Sequence, residues 1–336
     1  MSLARDLAGL AVALCLWLFA GALPAAATCG SASCFLVTGT TDGPPSRGTL
    51  LVDLSFRYVD QSRKLAGTEE VGEVLTPRID FENEVIEPDH HREISTLDTR
   101  LQVDLAYGIT DRWGVTATLP LVNDREHEHF DDVGPGEFFT NDDGTSGFGD
   151  VRVGARYVFI VAAKNLLVGG LEAKLTTGSY RLLDSEGEIN EPTIQPGTGS
   201  TDAIASLLYE HLWTPRGLDA FVSGATRFNT ENSLGYRLGD EVQLNAGVRY
   251  RHGGRAAWSL QLNGRRTRRD EYLGESVPST GSLLVNVTPG VTFDAASGTS
   301  LFAHVQVPVY QDVNEAQLAP RFGFVVGLSK SFGAAP

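Results

Sequence analysis

Twelve short segments in which apolar and polar residues alternate, joined by connections that are short and long in turn, constrain this chain more than any other feature. Between positions 97 and 107, Leu97, Thr99, Leu101, Val103, Leu105 and Tyr107 alternate with Asp98, Arg100, Gln102, Asp104 and Ala106. Successive side chains of a strand point to opposite faces, so this segment has one apolar face and one charged face. A closed barrel in a bilayer uses both: lipid meets the outside, while water or packed polar groups fill the inside.

The alternation places strands at about residues 48–57, 94–107, 113–121, 150–161, 166–175, 202–213, 219–228, 241–251, 256–266, 282–293, 300–309 and 321–332. Five connections are tight, among them Gly108-Ile109-Thr110-Asp111-Arg112 and the Pro/Gly turn Thr214-Pro215-Arg216-Gly217. They fall on one side of the barrel and the six long ones on the other. Short turns are periplasmic and long loops extracellular in single-chain bacterial barrels, which have an even strand number. A soluble β-sandwich also alternates. It would not place Tyr107, Trp113, Tyr157, Trp213, Tyr250 and Trp258 at strand ends, where they suit interface girdles. The expected fold is all-β: a transmembrane antiparallel β-barrel of about 12 strands.

The N-terminus carries an export signal. Arg5 precedes an apolar stretch from Leu7 to Leu23, and Pro24-Ala25-Ala26-Ala27 offers an A-x-A cleavage site. Residues 1–27 therefore read as a signal peptide rather than a retained helix. Beyond them no apolar run approaches the ~18 residues of a membrane helix. Cys15 leaves with the signal, so Cys29 and Cys34 remain, spaced C-x4-C. In an oxidising periplasm a local disulfide is expected, with a metal or redox pair as the alternative. The mature chain divides into a periplasmic N-terminal segment (28–47), the barrel (48–332) and a tail (333–336). These features place the protein in the outer membrane of a Gram-negative bacterium, with outer-membrane lipid and the barrel-assembly machinery as partners.

The formal charge is −15, concentrated in two stretches. Residues 58–93 hold ten acids against four bases, and residues 121–149 hold eight against one. Such a surface repels nucleic acid and attracts cations or basic partners. Charged residues at inward positions of the strands are Asp98, Arg100, Asp104, Arg152, Arg156, Glu172, Lys174, Glu241, Arg249, Arg251, Arg265 and His304. Facing lipid, an ionic side chain near the midplane would cost about 2–4 kcal/mol, so the lumen is their place. They line a water path, or they pair across a lumen filled by loops or by the N-terminal segment.

Three stretches resemble a known family. Gly147-Phe148-Gly149-Asp150-Val151-Arg152-Val153-Gly154 looks like the G-x-G-D strand opening of the outer-membrane transporter family named for the meta pathway of phenol degradation. Pro196-Gly197-Thr198-Gly199-Ser200-Thr201-Asp202 resembles that family's later Gly-rich strand entry. Val305 to Asn314 and Phe322 to Phe332 are similar to the family's C-terminal strands. The resemblance implies an outer-membrane barrel with a transport role. One departure is that Gly333-Ala334-Ala335-Pro336 follows Phe332, where such barrels end on an aromatic residue.

Four of the seven histidines fall in the first two outer connections, as His90 and His91, and as His127 and His129. Interleaved with carboxylates, imidazoles bind borderline divalent metals such as zinc, copper or nickel. H-x-H in an extended segment sets both rings on one side. The alternative is a solvated polar loop. Asn141-Asp142-Asp143-Gly144 lacks the spacing of a calcium loop. No His is followed two residues later by Ser, and G-x-S-x-G is missing, so no nucleophile motif points to an enzyme. No resident cofactor is expected apart from a divalent metal at the outer loops. The sequence thus favours a channel or transporter for a small solute or cation, linked to a divalent metal or to small organic compounds. The alternative is a plugged barrel acting as a metal-binding or assembly module.

Overall fold

The computed structural model describes residues 45–131, 136–141, 143–214, 217–251, 254–295 and 298–333. Twelve long strands form its wall. They are β1 (Leu50–Gln61), β2 (Val85–Gly108), β3 (Trp113–Asp131), β4 (Arg152–Ala162), β5 (Asn165–Lys174) and β6 (Asp202–Thr214), followed by β7 (Leu218–Phe228), β8 (Glu241–Arg251), β9 (Ala256–Thr267), β10 (Ser282–Asp294), β11 (Thr299–Val313) and β12 (Phe322–Phe332). Each pairs antiparallel with its sequence neighbour, and β1 pairs with both β2 and β12, so the sheet closes. Closure leaves no unpaired edge, the condition for a sheet to sit in hydrocarbon. No helix of the described residues is long and apolar enough to cross a membrane.

The faces sort as the alternation requires. Leu54, Val153, Leu171, Leu207, Leu260 and Leu301 stand exposed on the outside, while Asp53, Asp98, Asn245, Gln261 and Thr288 are buried inside. Trp113 packs on Tyr157 with ring centroids 4.7 Å apart. With Tyr107, Trp213, Tyr250 and Trp258 they gird the end that carries the short turns.

Two strands correct the expected boundaries. β2 and β3 do not stop at the membrane but run on outward for 24 and 19 residues in all. Their extension carries all four outer histidines, which were expected in loops. The paired strands contain two bulges, one between Glu93 and Ser95 and one between Leu101 and Gln102. A bulge adds one residue to one strand and reverses which face the following residues present. At the second, Leu121 and Val122 are both exposed, and beyond them Asn123, Arg125, His127, His129 and Asp131 all turn inward.

The outer loops build a cap of their own. Leu75–Asp80 pairs with β2, and Phe138–Thr140 and Thr145–Gly147 pair with β3. Arg63–Ala66 pairs with Ala316–Ala319. Two small apolar cores hold this cap: Ile79, Tyr236, Tyr272 and Val277 in one, and Leu65, Val313 and Ala319 in the other. Cys29, Cys34, the signal segment and the last three residues lie outside the described residues.

Candidate functional site

Inside the barrel, polar side chains are joined across strands at fixed levels. Asn245 donates to the Ser223 hydroxyl at 3.2 Å, Asn263 donates to Asn245 at 2.8 Å, and Thr288 donates to Asn263 at 2.6 Å. This ribbon crosses β7, β8, β9 and β10. Nearer the outer ends, Arg265 binds Glu241 at 2.7 Å and Arg125 binds Asp98 at 3.4 Å. Toward the short turns, Arg249 binds Glu210 at 2.9 Å and Asp219 at 3.0 Å, and farther out Arg156 lies 3.8 Å from Glu172. Val158, Val168, Leu208 and Phe221 form a buried apolar patch on the inner wall of β4–β7.

A second set of lumen charges is rich in arginine, with Asp98 among them. Arg57 on β1 is the direct cross-strand partner of Arg100 on β2. Arg125 and Arg152 stand near enough to act on Arg100 electrostatically. Arg57 donates to Gln306 at 2.9 Å, Arg100 to Asn123 at 3.2 Å and Arg152 to Thr118 at 3.4 Å. A cavity of about 40 Å³ touches Arg57 and Arg265, and one of about 100 Å³ lies farther out against Thr96, Arg125 and Glu191. Gln61 lines both, so the two are stacked along the barrel axis.

The Gly-rich motifs meet in space. Asp150, just beyond the outer end of β4, accepts hydrogen bonds from the amides of Gly178 at 2.9 Å and Thr198 at 2.8 Å. Lys174 lies 3.1 Å from Asp150 and 2.8 Å from Asp202. Burial works against the Asp150 carboxylate, but Lys174 and those amides outweigh it and hold its pKa below the ordinary carboxylate range. Gly178 and Gly197 touch backbone to backbone, and a Cβ on Gly197 would stand 2.6 Å from Gly178. Asn123 donates to the Pro196 carbonyl at 2.6 Å. The connection from β5 to β6 is thereby drawn down into the mouth of the barrel.

Above that mouth the histidines converge. His91 Nε2 donates to Asp131 Oδ1 at 2.9 Å, and His129 Nε2 donates to the same oxygen at 2.8 Å. Asp143 Oδ2 is 3.4 Å from His129 Nε2. Glu191, on the β5–β6 connection, accepts from His91 Nδ1 at 2.7 Å. His127 pairs with Thr96 at 2.8 Å and faces Glu93 at 3.6 Å, with its ring centroid 4.6 Å from that of His129. Burial opposes a charged His91, yet its bonds to Asp131 and Glu191 and the nearby Glu93 raise its pKa to about 10. Three groups could each hold one ion: His90, His91 and Asp131; His91, Glu93 and Glu191; and His129, Asp131 and Asp143.

Of the residues singled out in the sequence, Asp98, Arg100, Asp104, Arg152, Arg156, Glu172, Lys174, Glu241, Arg249, Arg265 and His304 occupy inward positions. Arg251 does not line the lumen. It shares the parity of Arg249 but ends its strand, so it reaches the short-turn rim and binds Asp294 there. His90 and His91 join the acid cluster, whereas His127 belongs to none of the three ligand groups. Sequence reasoning missed Glu93, Asp131, Asp143 and Glu191. Asp131 had a signal, since His127, His129 and Asp131 share one face of an extended strand. Glu191 had none, because a loop far along the chain delivers it.

Comparison with known proteins adds four findings. The family model described as the MetA-pathway of phenol degradation matches residues 91–315. An outer-membrane channel from Pseudomonas putida F1 superposes with a TM-score of 0.63 at 12% identity, covering 88% of this chain and all of that one (100%). The β-domain of the Bordetella autotransporter BrkA superposes with a TM-score of 0.45 at 13% identity, over 85% of this chain and 100% of its own. No curated protein matches the sequence.

Proposed function

The chain belongs to the family described as the MetA-pathway of phenol degradation, and from that membership we propose that it is a channel for small organic solutes that favours anionic ones. The protein is a closed twelve-strand barrel of the outer membrane, the fold of the Pseudomonas putida channel. The observation that carries the solute class is the group of arginines at Arg57, Arg100, Arg125 and Arg152. Cation side chains clustered on the inner wall of β1–β4 set up a field that a passing anion relieves. The apolar patch of Val158, Val168, Leu208 and Phe221 offers the same solute a surface for a hydrocarbon body.

The acidic outer loops do not cancel this preference. Seven residues of β2 separate Arg100 from Glu93, about 23 Å at 3.3 Å per residue. That exceeds the Debye length of about 8 Å at physiological salt. The loops therefore act at the mouth and the arginines act within.

Planar-bilayer recording of the mature protein tests the reading. The expected result is a small, stable conductance with a reversal potential on the anion side, moved toward cations in the R57Q/R100Q double variant. Unchanged selectivity in that variant would remove the arginines from the account. A silent barrel would instead favour a binding or assembly module.

A further inference from the structure

The histidine–carboxylate cluster holds more polar groups than hydrogen bonding satisfies. His91, His129, Asp131 and Asp143 are all buried and line one small cavity. His127 Nε2 and His129 Nδ1 are buried without a hydrogen bond, as is Glu93 Oε2. Each such atom costs about 1–3 kcal/mol when left unmet. A cavity of about 20 Å³, the room of a single water or ion, opens among His91, His129, Asp131, Asp143 and Glu191.

We propose that this cavity binds a divalent transition metal of the zinc class through His129 Nε2, Asp131 and Asp143, with His91 holding Asp131 from the other side, and that the ion fastens the β5–β6 connection over the barrel mouth. Zinc takes nitrogen and oxygen ligands tetrahedrally at about 2.0–2.2 Å, which sets them about 3.3–3.6 Å from one another. The distances from His129 Nε2 to the two carboxylate oxygens are already 2.8 and 3.4 Å. Small outward shifts make room for the ion. Glu191 accepts from His91 Nδ1 and His91 Nε2 donates to Asp131, so Glu191 orients the ligating carboxylate through His91, as outer partners do in zinc sites.

The mechanical consequence follows from where the ligands originate. His129 and Asp131 come from β3, Asp143 from between the two short strands that pair with β3, and His91, which holds Asp131, from β2. Asp143 accepts from the Ser185 amide at 2.8 Å, and Glu191 lines the 100 Å³ cavity at the mouth. The ion thus ties the extended wall to the β3–β4 connection, and the Ser185–Asp143 and Glu191–His91 bonds carry that hold to the loop that crosses the opening. The site stands whether or not the barrel conducts.

The test uses the mature protein folded in detergent, stripped with a chelator and titrated with Zn²⁺ by calorimetry, with Co²⁺ as a spectroscopic substitute. Saturable binding of one Zn²⁺ per chain is expected, weakened on the order of 100-fold in H129A and about 10-fold in E191Q. H211A, whose ring bonds to Asn165 on the opposite rim, is expected to bind as the wild type does. Bound Zn²⁺ is expected to slow proteolysis within residues 175–201. Absence of saturable Zn²⁺ binding, or an H91A/H129A variant that binds as tightly as wild type, would overturn the site. Binding without loop protection would overturn the fastening. If H129A fails to fold, the wild-type Co²⁺ spectrum decides: intense visible absorption supports tetrahedral ligation, and weak octahedral bands overturn it.

Discussion

Arg57 and Arg100 are direct cross-strand partners on the inner face of the β1–β2 seam, and Asp53 and Asp104 are paired in the same way nearer the short turns. Like charges directly opposite one another destabilise a sheet by roughly 0.2–1 kcal/mol. R57Q is therefore expected to raise the stability of the barrel by up to about 1 kcal/mol while reducing its anion preference. Denaturant unfolding and reversal potentials, measured on the same preparation, check the pair of effects. A loss of stability with unchanged selectivity would contradict both.

The Asp150 junction predicts a pH dependence. Its carboxyl is held low in the folded protein, so its contribution is present above the unfolded pKa of about 3.9 and is lost as pH falls through the lower folded value. The groups facing it are Lys174, which also binds Asp202, and Thr198. D150N is expected to destabilise the fold at pH 7 by about 1–3 kcal/mol. The gap between variant and wild type should narrow below about pH 4. Thermal scans across that range read it directly.

The contact between Gly178 and Gly197 leaves no room for a methyl group, since the added Cβ would approach backbone rather than a yielding side chain. G197A should loosen the β5–β6 connection without unfolding the wall. Limited proteolysis is expected to cut the variant faster within residues 175–201, with the barrel fragment still resisting heat in detergent.

Leu171 projects outward from the middle of β5 and is 70% exposed. An arginine there would have to lie in hydrocarbon, so L171R is expected to cost about 2–4 kcal/mol in vesicle-based unfolding. The equivalent change at a loop position should cost far less, because water solvates the charge.

Deleting Ile94 gives a test of register. Ile94 is the extra residue between Glu93 and Ser95, which pair with His129 and Glu128. Its removal lets Glu93 follow Ser95 in unbroken alternation, so His91 and Glu93 should keep facing inward while the wall below Thr96 stays in place. The expected outcome is a folded barrel that binds Zn²⁺ as the wild type does, and a fall to the level of H91A would show that the bulge itself shapes the site.

The sequence by itself determined the barrel: strand number, which face of each strand meets lipid, and which end carries the short turns. Those follow from a period of two and from turn residues, both local properties that every segment repeats. Leu171 and Asp98 could be assigned to opposite faces without knowing a single contact. The tertiary structure alone decided the functional site. The two bulges on β2 and β3 reverse parity, so no count of alternating residues from Asp98 would turn His91 inward. Asp143 and Glu191 arrive on loops, where no period operates, and their positions depend on the Asp150 junction and the Gly178–Gly197 contact. Alternation reports a face, and only long-range closure reports which faces come together.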